Sequence, residues 1–388
     1  MMSPYLRKLA RIAVTLHAKR DWANLGRRLL FVLRYLRGHH HSRRWFDFLA
    51  TDLMAPIVQN NASLYRKTIR PYVSINWPQH MKIEALIFHY EFLAGRLPTE
   101  VFRQIGSVGG LILLTCDTMS DDRLSIRLHY DNKFRKEGEA TLDLESAKYH
   151  CRVFSLTFVV APCATGEPCL VIGAVSGLPA NADKDIIKNT AKGLFGLRPK
   201  ALLLLAVQQL AQQWKIKAIL GVSNRIHSSR HWIYALNASR RFAITYDDFW
   251  REAGGARRSD GMFVLPQTFP TKSIETIKSR KRSLYRHRYI LISELQEQLK
   301  ANLRCWQTNR VLTRVSVNNQ RATCVESSLV ANTILGVAIC CVAFAATKMV
   351  YADTDQLSIR GQTTIIEQSH GDFPAPCSGM VLLSGTGQ

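Results

Sequence analysis

The chain has 388 residues, 47% of them hydrophobic and 21% charged, which is enough to bury a sizeable core and excludes wholesale disorder. Its 52 lysines and arginines against 29 acids give a formal charge of +23, which indicates an anionic partner: nucleic acid, acidic lipid headgroups or a phosphorylated cofactor. The nine cysteines include no CxxC pair, which argues against a disulfide framework or zinc ribbon and for a reducing compartment.

Residues 1–44 form a basic arm whose only acid is Asp21. Within it, apolar side chains recur at helical spacing with arginines between them: Trp22, Leu25, Leu29, Leu33 and Leu36. This pattern predicts a basic amphipathic helix suited to an anionic membrane or an acidic surface. Two alternatives stay open at this point, a helix that docks its leucines on the core and a transit peptide.

The next segment, 45–105, keeps helical periods interrupted by prolines at 56, 71, 78 and 98, which predicts a helical subdomain. Five short β-branched or alternating runs follow, and their short connections indicate an antiparallel meander. These runs are 109–117, 123–131, 139–145, 149–161 and 168–178.

After the fifth run comes a helix with Asn181 or Asp183 near its start and Gly193 near its end. Pro199 then fits the first position of a largely buried helix, which leads into a strand at 217–222. We expect further strands near 241–245 and 262–265 and a basic helix over 276–303. The fold class is therefore α+β, a helical N-terminal third followed by a strand meander with crossover helices. The expected domains are 1–44, 45–105, 106–304 and a tail, 305–388.

The turn before the buried helix carries candidate phosphate ligands, namely Gly193, Gly196, Arg198 and Lys200, because a helix start offers unpaired N–H groups and a positive dipole end. This order of meander, basic glycine-containing turn, helix and parallel strand resembles the cofactor-binding core of GNAT-type acyltransferases, whose R-x-x-G-x-G/A turn holds coenzyme A pyrophosphate. The glycine spacing differs here, and Pro199 with Lys200 replaces small residues. The resemblance implies an acyl-CoA or acyl-carrier thioester; the alternative is a buried crossover with two solvated cations.

Two further stretches hold candidate site residues. The loop GVSNRIHSSRHWIY (221–234) follows the parallel strand, where ligands collect in open α/β sheets, and places Asn224, His227 and Arg230 together. There, His227 or His231 is a candidate general base. The stretch ITYDDFWREAGG (244–255) contributes the remaining candidates: Tyr246, Asp247 and Trp250. Asp247 is a candidate for proton transfer, or else part of a structural anchor.

Three stretches, RPKALLLLAVQQLA, ILGVSNRIHSSR and TYDDFWREAGG, in that order and ahead of DGMFVLP, resemble the VirK/YbjX family of bacterial proteins. The resemblance covers roughly residues 45–300. It implies association with virulence and with envelope or antimicrobial-peptide stress, and it supplies no catalytic residues.

The uncharged segment 329–347 is close to the roughly 20 residues that cross a bilayer. With the basic body before it and Asp353 and Asp355 after it, the body would stay cytoplasmic. Val350-Tyr351-Ala352 also resembles a signal cleavage site. Because the tail is neutral and lies outside the family resemblance, we hypothesise a fused or read-through appendage.

The resulting functional hypothesis is a membrane-associated envelope-stress or virulence protein at the cytoplasmic face, whose body is an acyl-CoA- or acyl-carrier-dependent acyltransferase with an unidentified acceptor. One alternative is a non-catalytic membrane-surface adaptor that binds a protein partner. The other is a nucleic-acid binder, although neither a helix-turn-helix unit nor an aromatic RNA-binding motif accompanies the positive charge. No metal is expected, because His39, His40 and His41 lie in a basic stretch that predicts solvated side chains.

Overall fold

The computed structural model describes residues 4–317 with gaps at 20, 38, 108, 180–181 and 232–244, and it leaves out the side chains of 4, 37, 39–41 and 307–317. The predicted strand near 241–245, the helix start at Asn181 and the apolar segment 329–347 lie outside the described residues. Among the helices that are described, none is both long enough and apolar enough to cross a membrane.

The N-terminal third is helical, as the sequence predicts. Its elements are α1 (Pro4–Leu16), α2 (Trp22–Arg37), α3 (His39–Leu49), α4 (Ala55–Asn60), a 3₁₀ segment (Ala62–Ile69), α5 (Gln79–Ala94) and α6 (Thr99–Ile105). Pro78 and Pro98 stand immediately before α5 and α6, where a proline costs no hydrogen bond. The indole of Trp45 is fully buried and donates to the Leu64 carbonyl at 3.0 Å, which fixes α3 against the 3₁₀ segment.

An eight-stranded mixed sheet follows, in the order β1-β2-β3-β4-β5-β6-β8-β7. The strands are β1 (Leu111–Asp117), β2 (Arg123–His129), β3 (Ala140–Ser146), β4 (Cys151–Pro162), β5 (Pro168–Ser176), β6 (Ala218–Val222), β7 (Ala256–Arg257) and β8 (Met262–Leu265). The pair of β5 and β6 is parallel, and the other pairs are antiparallel. The predicted meander is confirmed, with strand ends within about two residues of those expected.

The remaining helices are α7 (Asp185–Gly193), α8 (Pro199–Gln213), α9 (Tyr246–Glu252) and α10 (Ser279–Val317). A parallel pair needs a long crossover, which α7 and α8 supply between β5 and β6. Pro199 begins α8 as predicted. Both α5 and α8 pack on β4, which is buried along nearly its whole length on both faces. The basic helix α10 runs past residue 304, where the sequence suggested a boundary.

A buried ion pair joins the helical third to the sheet. The Lys67 ammonium of the 3₁₀ segment contacts the Glu139 carboxylate just before β3, and both side chains are at most 2% exposed. The Lys67 ammonium also donates to the Arg135 carbonyl at 2.9 Å, and the Tyr90 hydroxyl of α5 donates to Glu139 Oε2 at 2.6 Å. Each charge therefore has partners without water, which a buried pair requires.

Removing one partner of this pair leaves the other charge buried and uncompensated. Glu139→Gln is therefore expected to lower the free energy of unfolding by about 3–5 kcal/mol, measured by denaturant titration. The matched control is Glu100→Gln, at an exposed pair with Arg103, for which at most about 1 kcal/mol is expected. Equal costs for the two variants would contradict a tightly buried pair.

Candidate functional site

The two parallel strands separate part-way along their length. β5 pairs with β6 only from Cys169 to Ile172, whereas β5 itself continues to Ser176. Gly173 is a bulge, because its neighbours on β5 pair with consecutive residues of β4. A Cβ on Gly173 would lie 1.8 Å from the carbonyl oxygen of Glu137, so glycine is required for this close approach. We call the opening between residues 173–176 of β5 and the end of β6 the wedge.

Two stacked side chains close the wedge. His227, from the loop after β6, interacts with the Gly173 carbonyl, and Tyr246, the first residue of α9, interacts with the Val175 backbone. Their rings stack at a centroid distance of 5.1 Å and an interplanar angle of 16°. Both residues are buried. The backbone groups that β6 no longer pairs are thus met by side chains, as buried polar groups require.

Reciprocal hydrogen bonds position Tyr246. The Asn224 backbone N–H donates to Asp247 Oδ1 at 2.7 Å, and the Tyr246 backbone N–H donates to Asn224 Oδ1 at 3.1 Å. The Asn224 side chain therefore accepts from one of the unpaired N–H groups at the start of α9, a capping role. The structure brings together these three residues, all predicted as site residues, from two separate stretches of sequence.

Trp250 fixes the other end of this arrangement. Its indole N–H donates to the Val222 carbonyl at 3.0 Å, where β6 ends. A Cβ on Gly221 would lie 2.6 Å from the Trp250 ring, so a glycine in β6 is needed for the indole to reach the strand. The predicted anchoring role of this aromatic residue is consistent with these contacts.

The loop that carries His227 is held by the helical third. The Ser228 N–H donates to the Val73 carbonyl at 3.2 Å, and the Val73 N–H donates to the Lys136 carbonyl at 2.7 Å. Val73 has φ +56, a left-handed conformation that is unusual for a β-branched residue. Strained residues of this kind persist where the surrounding structure over-determines them. The wedge is therefore supported from the helical side as well as from the sheet.

His227 is a neutral imidazole in this environment. Burial, with smaller contributions from the charges of Arg230 and Lys136, lowers its pKa to about 4 against an opposing effect of the Gly173 carbonyl. Its Nδ1 accepts from the Ser229 N–H at 3.2 Å and lies 2.7 Å from the Ser229 hydroxyl. The His227 side chain thus contacts the Gly173 carbonyl, its own loop at Ser229 and the Tyr246 ring. The predicted ligand Arg230 is exposed.

Nothing in the sequence around Glu137 marks it as a functional residue. Burial raises the pKa of its carboxyl, although the charges of Lys136 and Lys67 oppose that shift. Its Oε2 atom is buried and makes no hydrogen bond among the described residues. Burial raises the pKa of Tyr246, and the charge of Glu137 raises it further. A carboxyl and a phenol with perturbed pKa values are therefore electrostatically coupled near the wedge, a feature typical of acid–base chemistry.

The predicted phosphate ligands lie at the start of α8. Arg198 donates to Glu252 Oε2 at 2.7 Å, and the Lys200 ammonium lies 3.4 Å from the same oxygen. The Lys200 ammonium also lies 4.5 Å from the centroid of the Phe249 ring. Glu252 and Phe249 belong to α9, so this helix connects the two predicted clusters.

The two glycines of that turn have different surroundings. Gly193 ends α7, and its carbonyl accepts from Met119 N–H at 3.2 Å. Gly196 has φ +76 and lies against the Arg288 guanidinium of α10. The backbone N–H groups of 194–197 all donate to carbonyls of α7 or of the turn itself. Phosphate binding here stays a prediction that would depend on the arginine and lysine side chains more than on these amides.

One cluster has the composition of a metal site. His129, Asp131 and Asp143 bring their ligand atoms within 4.8 Å of one another. Arg152 already donates to Asp131 at 2.7 Å and to Asp143 at 3.4 Å, and the His129 Nε2 lies 2.8 Å from Asp143. A guanidinium thus supplies the positive charge there. The side chains of residues 39–41 lie outside the described part of the chain.

Comparison with known proteins places these features in a family. The model of DUF535, a protein family of unknown function, matches residues 20–301. The chain belongs to this family. It is 26% identical over 284 residues to the uncharacterized protein YbjX of Escherichia coli K12, which covers 73% of this chain and 85% of that protein. The DUF535 match, residues 20–301, includes all three stretches that carry the VirK/YbjX resemblance.

Two Haemophilus influenzae proteins, both described as uncharacterized, are also similar. One is 27% identical over 175 residues, or 45% of this chain and 56% of the relative. The other is 26% identical over 167 residues, or 43% of this chain and 53% of the relative. The family is therefore shown at the level of sequence, and the activity has to be argued from the site.

The lowered pKa of His227 predicts a loss of stability in acid. Because its folded pKa is about 4 and its ordinary value is 6.5, the unfolded chain takes up the proton first as pH falls from about 6.5 to 4. His227→Gln is expected to make the fall of unfolding free energy shallower by up to about 1.4 kcal/mol per pH unit. Urea titrations across that range measure this slope.

Two comparisons make the outcome interpretable. His89 is also buried and has its pKa lowered to about 3 by burial and by the Lys67 charge, so part of the slope should remain. The control His150→Asn changes an exposed histidine and should leave the slope as in the wild type. An unchanged slope in His227→Gln would contradict a buried neutral imidazole.

Proposed function

We propose that this chain is an acyltransferase that takes its acyl group from a coenzyme A or acyl-carrier thioester and reacts it at the wedge. The observation that carries the proposal is the wedge itself, where Glu137 has a buried carboxyl oxygen without a hydrogen bond and Tyr246 closes an otherwise unpaired strand edge. The antiparallel meander, the crossover helix α8 that begins at Pro199, and the parallel strand β6 support a GNAT-like reading.

The residues at the wedge suit the proton transfers of such a reaction. Glu137, once ionised, removes the proton of an amine or hydroxyl acceptor as that group attacks the thioester carbonyl. The new bond to the carbonyl carbon forms while the carbon–sulfur bond breaks. Tyr246 donates its hydroxyl proton to the leaving thiolate, and its raised pKa keeps it protonated until then. The proton on Glu137 then returns to Tyr246 through solvent.

The other predicted residues take supporting roles in this proposal. His227, Asn224 and Asp247 position Tyr246 and α9 by the contacts described above, with His227 neutral and its Nδ1 accepting from the Ser229 N–H. Arg198 and Lys200 would bind the phosphates of the donor. The phosphates would replace Glu252 as the partner of these two cations. The ion pair with Glu252 is exposed and therefore weak.

Binding of the donor is the first test. Thermal unfolding of the full chain with coenzyme A, acetyl-CoA and long-chain acyl-CoA should show a Tm that rises with ligand concentration, since a ligand of the native state stabilises it by about 2.7 kcal/mol at a hundredfold excess over Kd. The rise should be lost in Arg198→Ala/Lys200→Ala. It should persist in Arg123→Ala/Lys300→Ala, which removes two cations from exposed ion pairs elsewhere.

The chemical step is separated from binding by Glu137→Gln. This variant should keep the rise in Tm but lower acyl transfer, with water as the minimal acceptor, by about 10²–10⁴-fold. The wild-type rate should rise with pH through a pKa above the ordinary carboxyl value, because the base acts only when ionised and the pKa of Glu137 is raised. No rise in Tm with any thioester would contradict the proposal.

A second candidate function, a membrane-surface adaptor, is favoured by α2. Trp22 is 86% exposed and the leucines of its face are at least 41% exposed, whereas Phe31 and Tyr35 on the opposite side are buried. The alternative in which these leucines dock on the core is therefore wrong for the described chain. Arg27 and Arg34 are exposed on the same helix. An apolar face beside cations suits an anionic lipid surface.

Flotation of the full chain with phosphatidylglycerol vesicles tests this surface. Leu29→Ser/Leu33→Ser should lower the fraction bound by roughly tenfold, since both side chains would lose their burial in the acyl region. The matched control, Ile112→Ser/Ile290→Ser, removes two exposed apolar side chains away from α2 and should bind as the wild type does. Undiminished binding of the α2 variant would count against the adaptor function.

A further inference from the structure

A second group of cations surrounds a cavity of about 200 Å³ between the helical third and the sheet. Arg66, Lys67 and Arg70 reach it from the 3₁₀ segment and the residue after it, and Arg135 and Lys136 reach it from the turn before β3. This volume is far larger than the roughly 10–15 Å³ that a cavity needs in order to hold one water. It lies apart from the predicted phosphate turn, and none of its lining residues was selected from the sequence.

The positive charge of this cavity is largely uncompensated by protein carboxylates. Lys67 is neutralised by Glu139. Among the described residues, no salt bridge joins Arg66, Arg70 or Arg135 to an acid. Burial lowers the pKa of Arg66, and the charges of Arg70 and Arg135 lower it further, which shows that like charges converge on a partly buried guanidinium. Bringing these like charges together costs free energy unless an anion binds between them.

Neutral groups hold the guanidinium groups in place without removing their charge. Arg66 donates to the Leu16 carbonyl at 3.1 Å, and Arg135 donates to the Asn132 carbonyl at 3.0 Å. The Ser63 hydroxyl donates to Asn132 Oδ1 at 3.3 Å, and this hydrogen bond connects the two sides of the cavity, the helical third and the sheet. These contacts restrict the side chains in advance, and a restricted guanidinium fork matches the oxygens of a phosphate.

We propose that this cavity binds a phosphate group, as a monoester or a diphosphate. A cleft of this volume with arginines on both of its sides fits a compact tetrahedral anion better than an extended polyanion. The chemistry is shared by soluble phosphorylated molecules and by the headgroup of a phosphomonoester lipid. The proposal does not rest on acyl transfer, because the cavity residues and the predicted donor ligands Arg198 and Lys200 are different.

Calorimetric titration of the full chain with inorganic phosphate and pyrophosphate tests the site. The wild type should bind saturably, and Arg70→Gln/Arg135→Gln should weaken binding by at least about tenfold, since charge-assisted hydrogen bonds are lost. The control Arg123→Gln/Lys300→Gln removes the same charge from exposed ion pairs and should bind as the wild type does. Thermal unfolding without ligand establishes that both variants fold.

A second arm identifies the source of the phosphate. Vesicles of phosphatidylcholine with phosphatidic acid are compared with vesicles that carry phosphatidylglycerol at equal surface charge. A preference for phosphatidic acid that disappears in the cavity variant alone supports a lipid headgroup, whereas pyrophosphate binding without such a preference supports a soluble phosphate. Absence of binding in both arms, or an equal loss in the control variant, would overturn the proposal.

Discussion

The separation of β6 from β5 is the constraint on which the candidate site depends. Once the parallel pairing stops at Ile172, the outer edge of β5 has backbone groups that need partners, and side chains have to supply them. His227 meets that need from the loop after β6, and Tyr246 meets it from the start of α9. The bulge at Gly173 adds a second consequence, because it lets the Glu137 backbone approach β5, and the charge of Glu137 raises the pKa of Tyr246.

Two sets of charged side chains lie between the helical third and the sheet. Lys67 and Glu139 form a satisfied pair whose contacts with Arg135 and Tyr90 bind the helical third to the sheet. Beside that pair, Arg66 and its neighbours keep their charges. A protein that needed only a structural link between the two parts could have used apolar side chains at lower desolvation cost. An anionic ligand is therefore needed to explain why the cations around Arg66 are present, more than to explain the Lys67–Glu139 ion pair.

Much of the fold could be predicted because its signals are local. The alternating runs gave the meander, and Pro199 marked the start of α8. β7, with only Ala256 and Arg257, is too short to produce a period and was not expected. Glu137 could not be selected either, since nothing local distinguishes it from Glu139, two residues away. Their different roles arise from partners distant in sequence, Gly173 in one case and Lys67 in the other.

Which residues belong to the candidate site could be predicted from the sequence better than how those residues are arranged in space. Tyr246, at the start of α9, faces the wedge, whereas Glu252, at the end of the same helix, pairs with Arg198 and Lys200. Any anion that binds these two cations has to compete with Glu252, and α9 would lose a contact at one end while its other end stays fixed by Asn224. Because α9 has only seven residues, a change at one end is transmitted within two helical turns. If a donor binds at Arg198 as proposed, it therefore acts on the same short helix that positions Tyr246.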